Sequence, residues 1–253
     1  MGMSAIVDLE QRKNSCLWCG ARQNCIAASL EAADAALLEP VKRPSRVVRR
    51  GQHLFLAGDQ LPALYVIRSG SIKSYVITED GEEQIIGFHL PGDTIGFDAL
   101  ATGEARSNAA ALETSSICTL PLEGLWQVAE RSVTLRRELI RGMSREVLRL
   151  TGMLQNERRT ADQRLAAFLL DHADNMGRRG YSTEVFNLSM SRRDIGKYLD
   201  MATETVSRVL TRFQGLGLLA TNRNEIRLLD PTGLKHLVTE GGIGDTSRAV
   251  THH

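Results

Sequence analysis

The sequence predicts an α+β chain in three parts: an N-terminal antiparallel β-roll of the jelly-roll kind, a long helix suited to dimerisation, and a C-terminal winged helix-turn-helix. Three observations carry this expectation. Over residues 47–121 short apolar runs recur roughly every ten residues, with Gly58, Gly70, Gly81 and Gly92 between them, which is the pattern of an antiparallel sandwich or roll. Over residues 121–156 the apolar period lengthens to that of a helix. Beyond it, "SRRDIGKYLDMATETVSRVLTRFQGLGLL" reads as two short helices about a tight turn, and "GLLATNRNEIRLLD" as a small hairpin with residues 222–224 at its tip.

In chain order, the first part is an arm over residues 1–30, whose "SCLWCGARQNCIA" puts Cys16, Cys19 and Cys25 within ten positions; the only other cysteine is Cys118. "SLEAADAALL" has helical spacing and opens a sensory domain expected over 31–130. Strands are expected at "QHLFLAG", "ALYVIRSG", "SIKSYVIT", "EQIIGFHL" and "SSICTLP", and "TEDGEEQ" forms a hairpin turn because Asp80 and Gly81 tolerate positive φ. The dimerisation helix is expected over 131–158. There Ile140, Met143, Val147, Leu150 and Leu154 are spaced 3, 4, 3, 4, with Arg141, Arg145 and Arg149 on other faces. This is the a/d stripe of a coiled coil, and over so short a stretch it also fits a helix packed on its own domain.

A last domain over 159–240 begins with the helix "ADQRLAAFLLDHADNM", which buries Leu165, Phe168 and Leu169 and ends at Gly177. Ser191 and Thr203 are the expected N-caps of the two helices that follow, and Asp194 completes a capping box with Ser191. A tail covers 241–253. The leading Met-Gly and closing Thr-His-His are assigned no function, so His252 and His253 are not counted as ligands.

With 253 residues, 42% hydrophobic and 24% charged, the chain is expected to form one or two globular domains. No apolar run is long enough to span a membrane, and "MGMSAIVDLEQRKNS" lacks the apolar stretch of a signal peptide, so a cytoplasmic setting is expected. In that reducing compartment clustered cysteines are more often metal-binding or redox-active than disulfide-bonded. The chain has no Gly-rich phosphate loop, no His-Glu metal helix and no G-x-S-x-G elbow, while His53 and His89 stand far apart in predicted strands. A non-enzymatic role is therefore expected.

Lys and Arg number 31 against 30 Asp and Glu, so the net charge of +1 gives no global attraction to nucleic acid. The attraction is local. Arg192, Arg193, Lys197, Arg208, Arg212 and Arg223 gather around the two crossed helices, opposed chiefly by Asp194, Asp200 and Glu204. Ile195, Leu199, Met201, Val206, Val209 and Leu210 supply the shared core such a pair needs. The second helix then presents Thr203, Glu204, Ser207, Arg208 and Thr211 near its N-terminal half, for base edges in a major groove, where Arg pairs with guanine and Glu accepts from a cytosine amino group. Glu204 can also pair with Arg208 at i+4. Arg212, one turn on, and Arg192, on the preceding helix, are assigned to phosphates.

This order of parts, with "ETVSR" in the second helix, resembles the cyclic-AMP receptor protein and FNR superfamily of bacterial transcription regulators. The C-x2-C-x5-C spacing with the distant Cys118 resembles the FNR branch, the anaerobic regulators that sense oxygen through an iron–sulfur cluster. "YVIRSGSIKSYVITEDGEEQIIGFHLPGD", "IGFDAL" and "RLAAFLL" extend the likeness over residues 14–240. The resemblance implies that Cys16, Cys19, Cys25 and Cys118 ligate one 4Fe–4S cluster, that the intact cluster favours the homodimer and DNA binding, and that oxygen weakens both. It further implies inverted repeats of TTGAT-like half-sites and RNA polymerase as a partner.

Four thiolates suit such a cluster, and they equally suit zinc. Taken alone, Cys118 also fits a buried core thiol. The uncharged stripe allows dimers that persist in air as well. In cyclic-nucleotide-activated members of the superfamily a Gly-Glu pair and an Arg-Ser pair hold the ribose and phosphate. Here Gly96 is followed by Phe97 and Asp98, although Arg106-Ser107 remains, so that pocket is half erased. A cyclic-nucleotide-activated regulator and a zinc or thiol redox regulator are the alternatives.

Overall fold

The computed structural model describes residues 15, 16, 18–156 and 158–240; the side chains of residues 154–156 and 240, the expected tail and the first residues of the arm lie outside the description. The chain divides into two compact units that meet in sequence at residues 150 and 151.

In the first unit, α1 (Ala32–Leu38) precedes eight strands: β1 (Arg43–Val48), β2 (His53–Phe55), β3 (Ala63–Ser69), β4 (Ile72–Ile77), β5 (Glu83–His89), β6 (Thr94–Ile95), β7 (Asn108–Ala111) and β8 (Ser115–Pro121). They form two antiparallel four-stranded sheets, ordered β1-β8-β3-β6 and β2-β7-β4-β5. The expected hairpin joins β4 to β5, with the Thr78 N–H donating to Glu82 O at 2.9 Å and Gly81 at φ 78°. Strand alternation separates two cores. Ile67 and Ile117 join Leu54, Ile72, Ile95 and Ala109 between the sheets. Their neighbours Val66 and Leu120 face the other way, onto Ile26, Leu30, Leu38, Leu125, Leu135 and Leu139 from the arm and helices.

β1, β6 and β7 were not predicted. β1 crosses Pro44, β6 is two residues long, and β7 is "NAAA" with all four residues buried, which leaves no alternation to detect.

The helical stretch after β8 is two helices, α2 (Leu122–Arg131) and α3 (Val133–Asn156), divided at Ser132. The buried Ser132 hydroxyl accepts the Leu135 N–H at 3.1 Å and so starts α3, while its own N–H still closes α2 on Val128 O at 2.9 Å. At Gly142 of α3, an added Cβ would lie 2.8 Å from the tip of the Phe97 ring, so the ring occupies space that only glycine leaves open.

The second unit contains α4 (Ala161–Arg178), β9 (Val185–Asn187), α5 (Arg192–Leu199), α6 (Thr203–Gly215), β10 (Leu219–Asn222), β11 (Glu225–Leu228) and α7 (Pro231–Glu240). The three strands form one antiparallel sheet in the order β10-β11-β9. Ile195 and Leu199 of α5 pack with Val206, Val209, Leu210 and Phe213 of α6 as a buried core, whereas Met201 is only half-buried. β9 and α7 are additions to the expected plan.

Two cap assignments change. α4 runs past Gly177 to Arg178, because its turn is closed by Gly180 at φ 78°, not by Gly177. α6 has Ala202 at its N-cap and Thr203 in its first turn. Asp200 takes the left-handed conformation (φ 54°, ψ 58°), which swings the chain so that helical geometry begins at Thr203.

Candidate functional site

The arm is built of short turns. The Arg22 N–H donates to Cys19 O at 3.0 Å, the Cys25 N–H to Arg22 O at 3.1 Å and the Ala28 N–H to Cys25 O at 2.8 Å. These close spacings hold Cys16 and Cys25 against the outer face of the β1-β8-β3-β6 sheet. Cys118 lies on that face by strand parity, beside Leu120 and opposite Val66 across the β3–β8 register. As a result all four cysteines line one pocket of about 490 Å³ that includes space open to solvent. All four are free thiols.

The lining is mostly apolar, and its charged members are basic. Lys42 and Arg68 share the lining. The Lys42 side chain is only 8% exposed and its ammonium is 3.6 Å from Glu39, whose other oxygen accepts the Cys16 N–H at 2.7 Å. Ser45 Oγ lies 3.5 Å from Cys118 Sγ, and the Ala27 N–H donates to Cys25 Sγ at 3.5 Å. Burial pushes the Cys16 thiol above its ordinary value against the Lys42 charge. Burial pushes Cys25 up to about 12 against the Ala27 N–H, and the other three cysteines add to the rise. Thiolates here are costly until a cation shares them. Among the described residues no group of three or more His, Cys, Asp or Glu side chains stands ready to hold a metal ion. The four thiols face one pocket without closing on a point.

Lys42, Glu39 and Ser45 carried no signal in the sequence. Ser45 reaches Cys118 because the β1–β8 register slips between Arg43 and Arg46, a feature of two strands 73 positions apart.

On α3, Ile140 and Val147 are 58% and 61% exposed, and Met143 and Leu150 join them as exposed apolar side chains; the side chain of Leu154 lies outside the described residues. Exposed Leu148 widens the stripe. In the loop after β6, Asp98 Oδ2 accepts the Arg106 N–H at 3.0 Å and the Ser107 hydroxyl at 3.1 Å. Asp98 thus holds the Ser107 hydroxyl and the Arg106 backbone amide, while the Arg106 side chain is exposed.

In the second unit the Ser191–Asp194 capping box is closed in both directions: the Asp194 N–H donates to Ser191 Oγ at 3.1 Å and the Ser191 N–H to Asp194 Oδ2 at 3.0 Å. Opposite the buried face of α6, Glu204, Ser207, Arg208, Thr211 and Arg212 are exposed and Thr203 is half-buried. Ser207 Oγ donates to Thr203 O at 3.0 Å, which leaves the hydroxyl oxygen outward as an acceptor. Among the described residues, no ion pair joins Glu204 to Arg208. Arg212 is instead paired with Asp162 of α4. Arg192 donates to Arg223 O at the hairpin tip at 3.5 Å, and burial lowers its guanidinium pKa.

Residues 45–132 match the cyclic nucleotide-binding domain, and residues 163–237 match the Crp-like helix-turn-helix domain. The "Fumarate nitrate reduction regulatory protein" of Klebsiella oxytoca is 44% identical over 214 residues, 84% of this chain and 86% of that protein. The chain belongs to the Crp/FNR family of transcription regulators. The "Transcriptional activator protein FnrA" of Stutzerimonas stutzeri is 40% identical over 225 residues, 88% of this chain and 92% of that one. Among solved structures, FixK2 from Bradyrhizobium japonicum superposes with a TM-score of 0.68 at 31% identity, covering 76% of this chain and 96% of that one.

The relatives of this Crp/FNR chain are DNA-binding regulators rather than enzymes, and its helix-turn-helix carries DNA binding and dimerisation as family properties. FNR-type homologues support a role in anaerobic regulation. No helix among the described residues is long and apolar enough to cross a membrane.

Proposed function

We propose that the chain is a cytoplasmic oxygen-responsive transcription regulator in which Cys16, Cys19, Cys25 and Cys118 hold one 4Fe–4S cluster. The observation that carries this reading is that the chain's four cysteines, three on an arm and one on β8, line a single pocket. The donor set fits: four thiols are the usual complement of such a cluster, and the only charged residues in the mostly apolar lining, Arg22, Lys42 and Arg68, are basic, which suits the negative charge of bound thiolates. When bound, such a cluster would supply oxygen-labile iron–sulfur chemistry at these thiolates.

The chain's own residues do the rest. Glu39 fixes the arm through the Cys16 amide and holds Lys42 against the pocket. The Ser45 hydroxyl and the Ala27 amide stand beside two of the sulfurs and tune the site from outside its ligands. Ile140, Met143, Val147, Leu150 and Leu154 form the dimer seam. Two copies of α6 then read an inverted repeat of TTGAT-like half-sites about one helical turn apart. Arg208 meets a guanine, Glu204 a cytosine or adenine amino group, and Ser207, with Thr203 beside it, a neighbouring base edge. Arg212 and Arg192 meet phosphates. RNA polymerase is the partner at the promoter. A cyclic nucleotide finds the Ser107 hydroxyl already engaged by Asp98 and Phe97 where a ribose-binding carboxylate would stand.

The test is composition. Protein prepared without air is expected to be brown, with about four irons and four sulfides per chain, and Ser in place of any one of the four cysteines is expected to prevent stable assembly. A colourless protein with stoichiometric zinc overturns the reading in favour of a zinc regulator.

A further inference from the structure

The first turn of α4 grips α5, α6 and α7. Gln163 Nε2 donates to Val238 O of α7 at 3.3 Å, and Asp162 is paired with Arg212 of α6. Arg164 takes α5 and the turn: its Nη1 donates to Leu199 O at 3.0 Å and to Asp200 O at 3.2 Å, and its Nε to Arg159 O at 3.1 Å. The last carbonyls of a helix lack intrahelical partners and carry partial negative charge, so a guanidinium spanning two of them is a charge-assisted cap.

The turn it holds has no slack. Asp200 sits in the left-handed region without being glycine, and a Cβ at Gly196 would lie 2.5 Å from Met201 O, so the turn rests directly on α5. Any change in the path of residues 199–202 is passed to the start of α6. Thr203, Glu204, Ser207 and Arg208 lie on its first two turns.

We propose that Arg164 is a positioning residue for base reading. It ties the segment entering α4, at Arg159, to the turn between α5 and α6, and so fixes the angle at which α6 leaves that turn, without touching DNA itself. The inference rests on the reading of α6 as the base-reading helix.

The experiment uses the full chain prepared without air and a duplex selected by the parent from random sequence. Affinities for that duplex and for a scrambled one are measured at several salt concentrations for the parent, Arg164→Ala and Arg164→Lys. We expect Arg164→Ala to lose roughly tenfold on the selected duplex, the scale of one lost base contact, with affinity for the scrambled duplex and the salt slope unchanged. Arg164→Lys, which keeps the charge without the two-pronged fork, is expected to lose discrimination as well.

A phosphate-contacting Arg164 would weaken both duplexes and flatten the salt slope, and a purely structural role would lower the active fraction on both alike. Either result overturns the proposal, as does parental discrimination in Arg164→Lys, a variant that keeps the test decisive should Arg164→Ala not fold. A parent that selects no duplex overturns the base-reading assignment instead, and is thereby told apart from failure of the clasp.

Discussion

Acid should unfold the β-roll through one buried histidine. His89 is 5% exposed, its Nε2 lies 2.8 Å from Ser74 Oγ, and it faces Arg149 and Glu146 of α3 together with Asp93 and Asp98. Burial first, and then the Arg149 charge, lower its pKa from 6.5 to about 4, against the opposite pull of the three carboxylates. The imidazole is therefore neutral in the fold down to about pH 4, whereas in the unfolded chain it takes a proton below about pH 6.5. Between those values the unfolded state binds the extra proton, so stability is fully present above pH 6.5 and falls as the pH falls. A window of about two and a half pH units at roughly 1.4 kcal/mol each amounts to about 3 kcal/mol.

Both tryptophans, Trp18 and Trp126, belong to the first unit, so tryptophan fluorescence follows its urea unfolding separately from the second unit. The metal-free, reduced protein is compared at pH 7, 6, 5 and 4.5 with His89→Gln, which keeps a hydrogen-bonding group near Ser74 but cannot be protonated. The variant is expected to lose most of the pH dependence attributable to this window. Parallel pH profiles for the two proteins would refute the reasoning.

Three further outcomes are expected. Val147→Glu or Leu150→Glu should give a folded monomer by sedimentation without air, since paired carboxylates would be buried against each other; dimers as strong as the parent's place the seam elsewhere. Arg208→Ala should cost about 1 to 3 kcal/mol and blur preference at one base pair, whereas Arg212→Ala should weaken all sequences alike and lower the salt slope by about one; titrations against half-site variants at several salt concentrations separate the two. Ser191→Ala removes an N-cap bonded in both directions and should destabilise the second unit by about 1 kcal/mol in chemical unfolding.

The sequence made legible those elements whose two faces differ. β4, β5 and β8 largely alternate buried and less buried positions, and α6 buries Val206, Val209, Leu210 and Phe213 while exposing Glu204, Ser207 and Arg208; β3, buried on both faces, is legible instead as an apolar run ended by Gly70. β7 has no polar face, so its alanines gave no period. Thr203 is one position inside the helix although threonine is the better cap residue, because the left-handed Asp200 places Ala202 at the cap. Parity alone puts Cys118 with Leu120, but which face meets the arm depends on the sheet order. Nothing in the sequence singles out Asp162 and Arg164, since their partners stand 50 and 35 residues away.

The contact of Phe97 with Gly142 bears on symmetry. The helix α3 is 24 residues long, and the ring meets it at the one azimuth where residue 142 offers no side chain. Rotation by a single residue, about 100°, would bring Arg141 or Met143 onto the ring instead. The phase of the helix about its own axis is thus set by a phenyl group from the roll. That phase decides which residues point outward, so on the proposed seam the dyad relating two identical chains would be inherited from a contact lying wholly within each of them.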